Sequence, residues 1–75
     1  MSFNRLLSRD RKLFVQKVYR EMYSNTIANA HGSRENQKAY FLQLVEGNNE
    51  LSEIEKRYCR ERFIYDFELQ NALYI

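Results

Sequence analysis

Residues 51–67 read LSEIEKRYCRERFIYDF, and this stretch decides the fold class. It opens with Ser52 and Glu55 at the spacing of a capping box, in which each side chain accepts a hydrogen bond from a backbone N–H near the other residue. Apolar residues then recur at intervals typical of one side of a helix. They are Ile54, Tyr58, Tyr65, Leu69 and Ala72. The stretch therefore predicts a helix over residues 52–73 that buries this stripe.

The same helix carries a second apolar strip, formed by Phe63, Ile64 and Phe67, which lies partly off the main stripe. Two arrangements accommodate it. Either the helix is covered on two sides within its own bundle, or the strip meets a partner, because a large apolar patch left exposed is a liability. We take Phe63, Ile64 and Phe67 as the candidate partner-binding residues, in a homodimer or at a docking surface.

The rest of the chain is also patterned for helices. It has no proline and only two glycines, Gly32 and Gly47, each placed where a residue in the left-handed conformation closes a helix. We expect three helices, over about residues 5–30, 34–46 and 52–73. Ser33 is the expected N-cap of the second helix, and the first begins near Asn4 or is capped by Ser8.

The expected architecture is a single all-α domain over residues 1–75, since a chain of this length holds at most one domain. Short connections favour antiparallel neighbours, so we expect a small three-helix bundle or a long helical hairpin with a short middle helix. The end at residues 71–75 is apolar and lacks a C-cap, which is typical of a fragment of a longer protein.

Helical periodicity selects the core of the first two helices. In the first helix these residues are Leu7, Phe14, Val18 and Met22, widened by Leu6, Val15 and Tyr19. In the second helix they are Ala39, Phe41, Leu42 and Val45.

The composition excludes several kinds of site. With Cys59 as the only cysteine and His31 as the only histidine, the chain holds no internal disulfide, no cysteine-based metal site and no Ser-His-Asp motif. We therefore expect no enzyme activity and no cofactor. A single cysteine favours a reducing, cytoplasmic location, with Cys59 packed as a small apolar residue. The mean hydropathy of −0.71 and the lack of an 18-residue apolar run argue against a membrane-spanning segment.

Charge is segregated along the chain. Residues 1–20 carry six Lys and Arg against Asp10 alone, a net charge of +5, whereas the other 55 residues carry six basic and nine acidic side chains. If the first helix starts by Asn4, four of the basic residues form one stripe. They are Arg5, Arg9, Lys12 and Arg20. This stripe is the basis of an alternative function, binding of nucleic acid or another anionic surface.

One family resemblance lies in the third helix. It rests on Leu51-Ser52-x-x-Glu55-Lys56-x-Tyr58-Cys59-x-Glu61-Arg62, then Phe67-Glu68, then Ala72-Leu73-Tyr74. This pattern resembles the helical segment that precedes the kinase domain in the expanded protein-kinase-like proteins of arbuscular mycorrhizal fungi. The family carries a basic residue where this chain has Asn71. The resemblance implies an accessory segment beside a signalling domain, and the kinase catalytic motifs are absent from these 75 residues.

The sequence thus favours a non-catalytic helical module for protein–protein interaction or assembly, accessory to a signalling domain. Its expected partner is another protein or a second copy of the chain. Nucleic acid is the less favoured partner, because the whole-chain charge is only +2 and no known nucleic-acid-binding motif is present.

Overall fold

The structure is a computed structural model that describes the backbone of residues 8–73 and the side chains of residues 8–68. It contains helices α1 (Lys12–Asn29), α2 (Arg34–Glu46) and α3 (Glu53–Leu73). No strand occurs in the described backbone, so the predicted all-α fold is confirmed. The second and third helices match their predicted bounds closely, whereas α1 starts later than expected.

The middle helix runs antiparallel to both of its neighbours. Only four residues connect α1 to α2 and six connect α2 to α3, so each connection reverses the chain. The Tyr40 hydroxyl of α2 donates to the Asn25 side chain near the end of α1, at 2.8 Å. Arg60 of α3 pairs with Glu46 at the end of α2, at 3.0 Å. These contacts make the fold a three-helix bundle.

Helices α1 and α3 run in the same direction with their starts at the same height. Arg11, the residue before α1, pairs with Glu55 in the first turn of α3 at 2.9 Å. Further along both helices, the Tyr19 hydroxyl donates to Asp66 at 2.6 Å. The second contact lies further along both helices than the first. The two contacts therefore show that α1 and α3 are parallel, and they fix the position of one helix along the other.

Buried aromatic rings dominate the core. The stacked rings of Phe41 and Phe63 have centroids 4.0 Å apart and planes inclined by 9°. Tyr19 meets Phe41 edge-on at 5.8 Å, so all three helices contribute a ring to one cluster. The buried core consists of Val15, Tyr19, Met22, Phe41, Val45, Leu51, Tyr58, Cys59, Phe63 and Phe67.

The buried face of α1 is rotated from the predicted one. Val15, Tyr19, Met22 and Thr26 are its buried residues, whereas Phe14 and Val18, predicted at the centre, are only partly buried. Thr26 tolerates full burial because its hydroxyl donates to the Met22 carbonyl oxygen at 2.9 Å. The predicted core positions Leu6 and Leu7 lie outside the described residues.

In α2, Phe41 and Val45 are buried as predicted, and Leu42 is half-buried. The prediction for Ala39 is wrong, since this residue is exposed. Ala39 lies two residues from Phe41, about 200° around the helix, so the two cannot face the same core.

The predicted caps are largely confirmed. Ser33 Oγ accepts a hydrogen bond from the Asn36 backbone N–H at 3.2 Å. Gly32 has a φ of +104°, in the left-handed region that favours glycine. Gly47 has a φ of −80°, so the left-handed conformation predicted there is wrong, and its N–H satisfies the Gln43 carbonyl oxygen instead.

Helix α1 begins without the predicted cap. Its N-cap is Arg11, which makes no side-chain capping bond, and the Ser8 carbonyl oxygen accepts from the Arg11 backbone N–H at 3.2 Å in the preceding turn. The prediction of Ser8 as N-cap is therefore wrong. The alternative start at Asn4 lies outside the described residues.

The capping box of α3 is present and extends to α1. Glu55 Oε1 accepts from the Ser52 backbone N–H at 2.9 Å, and Ser52 Oγ accepts from the Glu55 backbone N–H at 3.2 Å. Arg11 donates to both carboxylate oxygens of Glu55, at 2.9 and 3.0 Å. The Arg11 hydrogen bonds lower the pKa of Glu55, and its side chain is almost fully buried. One carboxylate thus starts α3 and joins it to α1.

We expect Glu55→Ala to lower the free energy of unfolding by about 1–2 kcal/mol at pH 7, the usual cost of losing a helix cap. Glu55→Gln keeps an oxygen for the cap but loses the charge. Its free energy of unfolding should lie between those of Glu55→Ala and the natural chain. Urea denaturation followed by far-UV circular dichroism measures both.

Acid pH provides the control for this prediction. Because the folded-state pKa of Glu55 is lowered, its stabilising charge contributes fully above the ordinary carboxyl pKa and is lost as pH falls through the folded-state value. The stability difference between the natural chain and Glu55→Gln should therefore shrink in acid. A difference that stays constant from neutral to acid pH would contradict the role of the Glu55 charge.

Candidate functional site

The structure reverses part of the prediction for the two apolar stripes of α3. Phe63 is 0% exposed and Phe67 is 5% exposed, both within the core of a single chain. The prediction that they form an exposed strip for a partner is therefore wrong. Phe63 stacks on Phe41 and, at 5.2 Å, on Phe67, and this ring cluster covers the strip from inside the bundle.

The exposed apolar face of α3 consists of Ile54, Ile64 and Tyr65. Ile54 is 59% exposed and Tyr65 is 55% exposed, although both were predicted in the core. Ile64, the remaining member of the predicted partner strip, is 40% exposed. Tyr58 is buried as predicted, while the side chains of Leu69 and Ala72 lie outside the described residues. Three large side chains are thus left on the outside of one helix.

Part of this exposed face lies beside α1. Tyr58 packs against Tyr19 of α1 with ring centroids 6.4 Å apart. Ile54 comes one turn before Tyr58 and Tyr65 comes two turns after it, so these side chains share that side of α3. Ile54 and Tyr65 therefore flank the contact between α3 and α1, on its solvent side.

Three residues of the family resemblance, Tyr58, Glu61 and Arg62, have structural roles in this fold. Arg62 Nη1 donates to the Tyr58 hydroxyl oxygen at 2.6 Å, and its guanidinium lies 4.6 Å from the centre of the Tyr19 ring. Glu61 pairs with Arg57 on the outer side of the helix at 3.1 Å. Packing and ion pairing thus account for the Tyr58 and Glu61-Arg62 pattern within a single chain.

Cys59 is fully buried in the core, as expected for a small apolar residue. Burial raises the pKa of its thiol to about 12. Because the thiolate is the reactive form, this environment suppresses nucleophilic and metal-binding chemistry at neutral pH.

The four predicted anion-binding residues do not lie on one helix in the part of the chain that the structure describes. Arg9 is exposed in the turn before α1, and Lys12 is half-buried at the first position of the helix. Arg20 is exposed, eight residues beyond Lys12 and about 80° around the helix. Arg5 lies outside the described residues. The prediction of a single helical stripe through Arg9 is therefore wrong, because α1 starts too late.

The exposed side of α1 mixes charge with apolar surface that the sequence analysis did not identify. Leu13 is 80% exposed and Ile27 is 45% exposed. Lys17 and Arg20 lie between them at helical spacing and are also exposed. The signal in the sequence was the spacing of Leu13, Arg20 and Ile27, seven residues apart, which places them along one line of the helix.

An open groove of about 560 Å³ lies between α1 and the connection that precedes α3. Its walls include the apolar side chains of Val18, Met22 and Leu44 together with the carboxylates of Glu21 and Glu50. No Lys or Arg lines it, so the groove does not suit a phosphate ligand.

Searches against models of protein families, curated proteins and solved structures found no match for this chain. Within the described residues, no group of three or more His, Cys, Asp or Glu side chains is placed to hold a metal ion. None of the helices in that part of the chain is long and apolar enough to cross a membrane. The exposed faces of α1 and α3 are therefore the features on which a functional proposal can rest.

The burial of Phe63 beside the exposed Ile64 gives a direct prediction. We expect Phe63→Ala to lower the free energy of unfolding by about 3–5 kcal/mol, because it leaves a cavity in the ring cluster. Ile64→Ala, at the adjacent exposed position, should cost less than about 1 kcal/mol. Urea denaturation of both variants provides the comparison.

Phe63→Leu keeps this comparison measurable if Phe63→Ala fails to fold. It should still be clearly less stable than Ile64→Ala, because it removes the stacked ring. Equal stabilities for Phe63→Leu and Ile64→Ala would show that Phe63 is not a core residue.

Proposed function

We propose that this chain is a non-catalytic helical module for protein–protein interaction, and that it binds its partner through the exposed apolar face of α3. The observation that carries the proposal is the exposure of Ile54, Ile64 and Tyr65 while the opposite side of the same helix fills the core. A helix in a small bundle needs only one buried face. The second apolar face of α3 therefore lies outside the core of the single chain.

The chemistry of this face suits a protein partner. Removing apolar surface from water contributes roughly 25 cal/mol per Å², and tyrosine is among the residues enriched in energetically dominant contacts. The ion pair of Arg57 and Glu61 lies on the same side of α3, between Ile54 and Tyr65, and supplies polar groups within the surface. Many protein–protein interfaces combine apolar and polar surface in this way.

A non-catalytic role is supported by the state of the reactive side chains. The thiol of Cys59 is buried with a raised pKa, and His31 is exposed just beyond the end of α1. The carboxylate of Glu55 is engaged by Arg11 and by the cap of α3. In the described residues these groups serve packing or capping, or stand apart from one another.

The proposal includes an accessory role beside a signalling domain, which rests on the resemblance in residues 51–74. The bundle leaves the outer side of α3 accessible, so a neighbouring domain could contact Ile54 and Tyr65 without unfolding the module. This arrangement is compatible with a regulatory or assembly role.

Site-specific photocrosslinking tests the proposed surface. With p-benzoylphenylalanine in place of Tyr65, irradiation in a lysate of the native cells should give discrete protein adducts. Excess natural chain should suppress these adducts, while excess Ile54→Ser/Tyr65→Ser chain should not. The competitor should remain folded because both replaced side chains are mostly exposed.

The matched control places the same photoreactive residue at Glu35, which is exposed in the first turn of α2. Adducts that form equally at positions 35 and 65, or that both competitors suppress equally, would refute the proposed surface. An adduct near twice the chain mass of 9.2 kDa would identify a second copy, and any other discrete mass would identify a different protein.

The second candidate function is binding of duplex nucleic acid through the basic side of α1. The observation that favours it is the exposure of Arg9, Lys17 and Arg20, which belong to the first 20 residues, with a net charge of +5. Phosphates along a duplex would be neutralised by such side chains, and binding would release counterions.

We expect the salt dependence of duplex DNA binding to decide this second candidate. Between about 50 and 200 mM salt, Arg9→Ser/Arg20→Ser should reduce the slope of log K against log salt by about 2, one for each lost phosphate contact. Fluorescence anisotropy with a labelled duplex measures it. Arg57→Ser on α3 is the control, and binding no tighter than that of an unrelated protein of the same charge would exclude this function.

A further inference from the structure

The exposed surfaces of α1 and α3 meet along one side of the bundle. Tyr23 of α1 packs against Phe63 of α3 with ring centroids 5.6 Å apart, so the side of α1 that carries Tyr23 borders α3. Arg20 precedes Tyr23 by three residues and Ile27 follows it by four, so both lie on that side. We call the surface formed by Leu13, Arg20 and Ile27 of α1 with Ile54, Glu61 and Tyr65 of α3 the α1–α3 seam.

The two halves of the seam have the same order of chemistry. Along α1 the order is apolar, positive, apolar, in Leu13, Arg20 and Ile27. Along α3 it is apolar, negative, aromatic, in Ile54, Glu61 and Tyr65. Within its own chain Glu61 pairs through Oε1 with Arg57 at 3.1 Å, so a second guanidinium would share this carboxylate. Opposite charges flanked by apolar residues make the two strips complementary to each other.

Within one chain the two strips lie side by side on the solvent side of the helices, so they do not cover each other. Their apolar members stay exposed, at 80% for Leu13 and 59% for Ile54. A second molecule is needed to bring an α1 strip onto an α3 strip.

The relative direction of the helices determines which second molecule fits. The ring contacts of Tyr19 with Tyr58 and of Tyr23 with Phe63 show that α1 and α3 run in the same direction, each α1 residue level with an α3 residue about 40 positions later. Arg20 and Glu61 are separated by nearly this number of positions, so they lie at about the same height. Rotation by 180° about an axis parallel to the helices leaves the position of each residue along the helix direction unchanged. It brings the seams of the two copies face to face, with α1 of one copy opposite α3 of the other. It therefore places the α1 strip of each copy on the α3 strip of the other, with apolar opposite apolar and Arg20 opposite Glu61.

We infer that the protein forms a two-fold symmetric homodimer through the α1–α3 seam, in which Arg20 of each chain pairs with Glu61 of the other. This inference rests on the proposed interaction function and names its partner as a second copy of the chain. Each contact is made twice, so the interface is closed and leaves no free strip. Six side chains from each chain form a small interface, which places the association in the weak, concentration-dependent class.

Charge exchange between two variants tests the inference. Arg20→Glu alone sets two carboxylates against each other at both contacts, and Glu61→Arg alone sets two guanidinium groups against each other, so each variant should be monomeric. An equimolar mixture of the two variants should form a heterodimer. At one contact the natural Glu61 of the first variant meets the natural Arg20 of the second, and at the other contact the two replaced side chains meet. Each contact then again pairs opposite charges. Sedimentation equilibrium at low salt over a range of concentrations measures the masses.

Net charge alone does not explain the expected restoration. The natural chain carries +2, so Arg20→Glu gives 0 and Glu61→Arg gives +4, and a neutral protein has no net attraction for a cationic one. The matched control is Glu35→Arg, which makes the same charge change on the exposed side of α2. A mixture of Glu35→Arg with Arg20→Glu should show no heterodimer, and circular dichroism verifies that every variant is folded.

The natural chain should sediment as a dimer at low salt. The dimer dissociation constant of either single variant should be at least tenfold larger. A natural chain that stays monomeric at every concentration, or a mixture of folded variants that stays monomeric, would overturn the homodimer. Discrete adducts at Tyr65 with a different protein would then leave the interaction function standing without self-association. If neither a dimer nor specific adducts at position 65 are found, both the homodimer and the proposed interaction function are refuted.

Discussion

The stacked rings of Phe41 and Phe63 join the short middle helix to the long third helix, and their centroids lie 4.0 Å apart. Tyr19 meets the same cluster from α1, so one aromatic contact gathers all three helices. The stack also determines how α3 is rotated about its own axis. With Phe63 and Phe67 turned inward, Ile54 and Tyr65 are necessarily turned outward. The surface available to a partner is therefore a consequence of the choice of core.

Polar contacts at the boundary of this core set the height of one helix against another. Arg11 holds the start of α3 through Glu55, and the Tyr19 hydroxyl meets Asp66 further along. Burial and the Asp66 hydrogen bond raise the pKa of Tyr19, so its hydroxyl remains a donor at neutral pH. Aromatic packing alone would permit sliding along the helix axes, whereas these directional bonds specify one register.

The sequence predicted the helices well because capping and periodicity are local properties. The Ser52 and Glu55 box and the Ser33 cap concern residues three apart, and both were confirmed. The choice between the two apolar stripes of α3 could not be made in the same way. It depends on Phe41 and Tyr19, which are distant in sequence, and both stripes satisfy helical spacing equally well. The prediction of where α1 starts was wrong for a related reason. Arg11, the residue before the helix, is bound by Glu55, which is 44 residues away in sequence.

The candidate site was predicted only in part, because its definition requires knowledge of what is buried. The third helix was correctly identified as having two apolar faces, and Ile64 is exposed. The complementary strip on α1 depends on the parallel direction of α1 and α3, which two consecutive short connections imply but no spacing within either helix reveals.

The burial of Cys59 limits when two chains can become linked by a disulfide. The folded chain keeps its one thiol away from oxidants, and the raised pKa leaves almost no thiolate to react. Two chains joined by a disulfide must therefore each have opened before the bond formed. Such a covalent pair would be a record of past unfolding, clearly distinct from an assembly that forms between intact molecules.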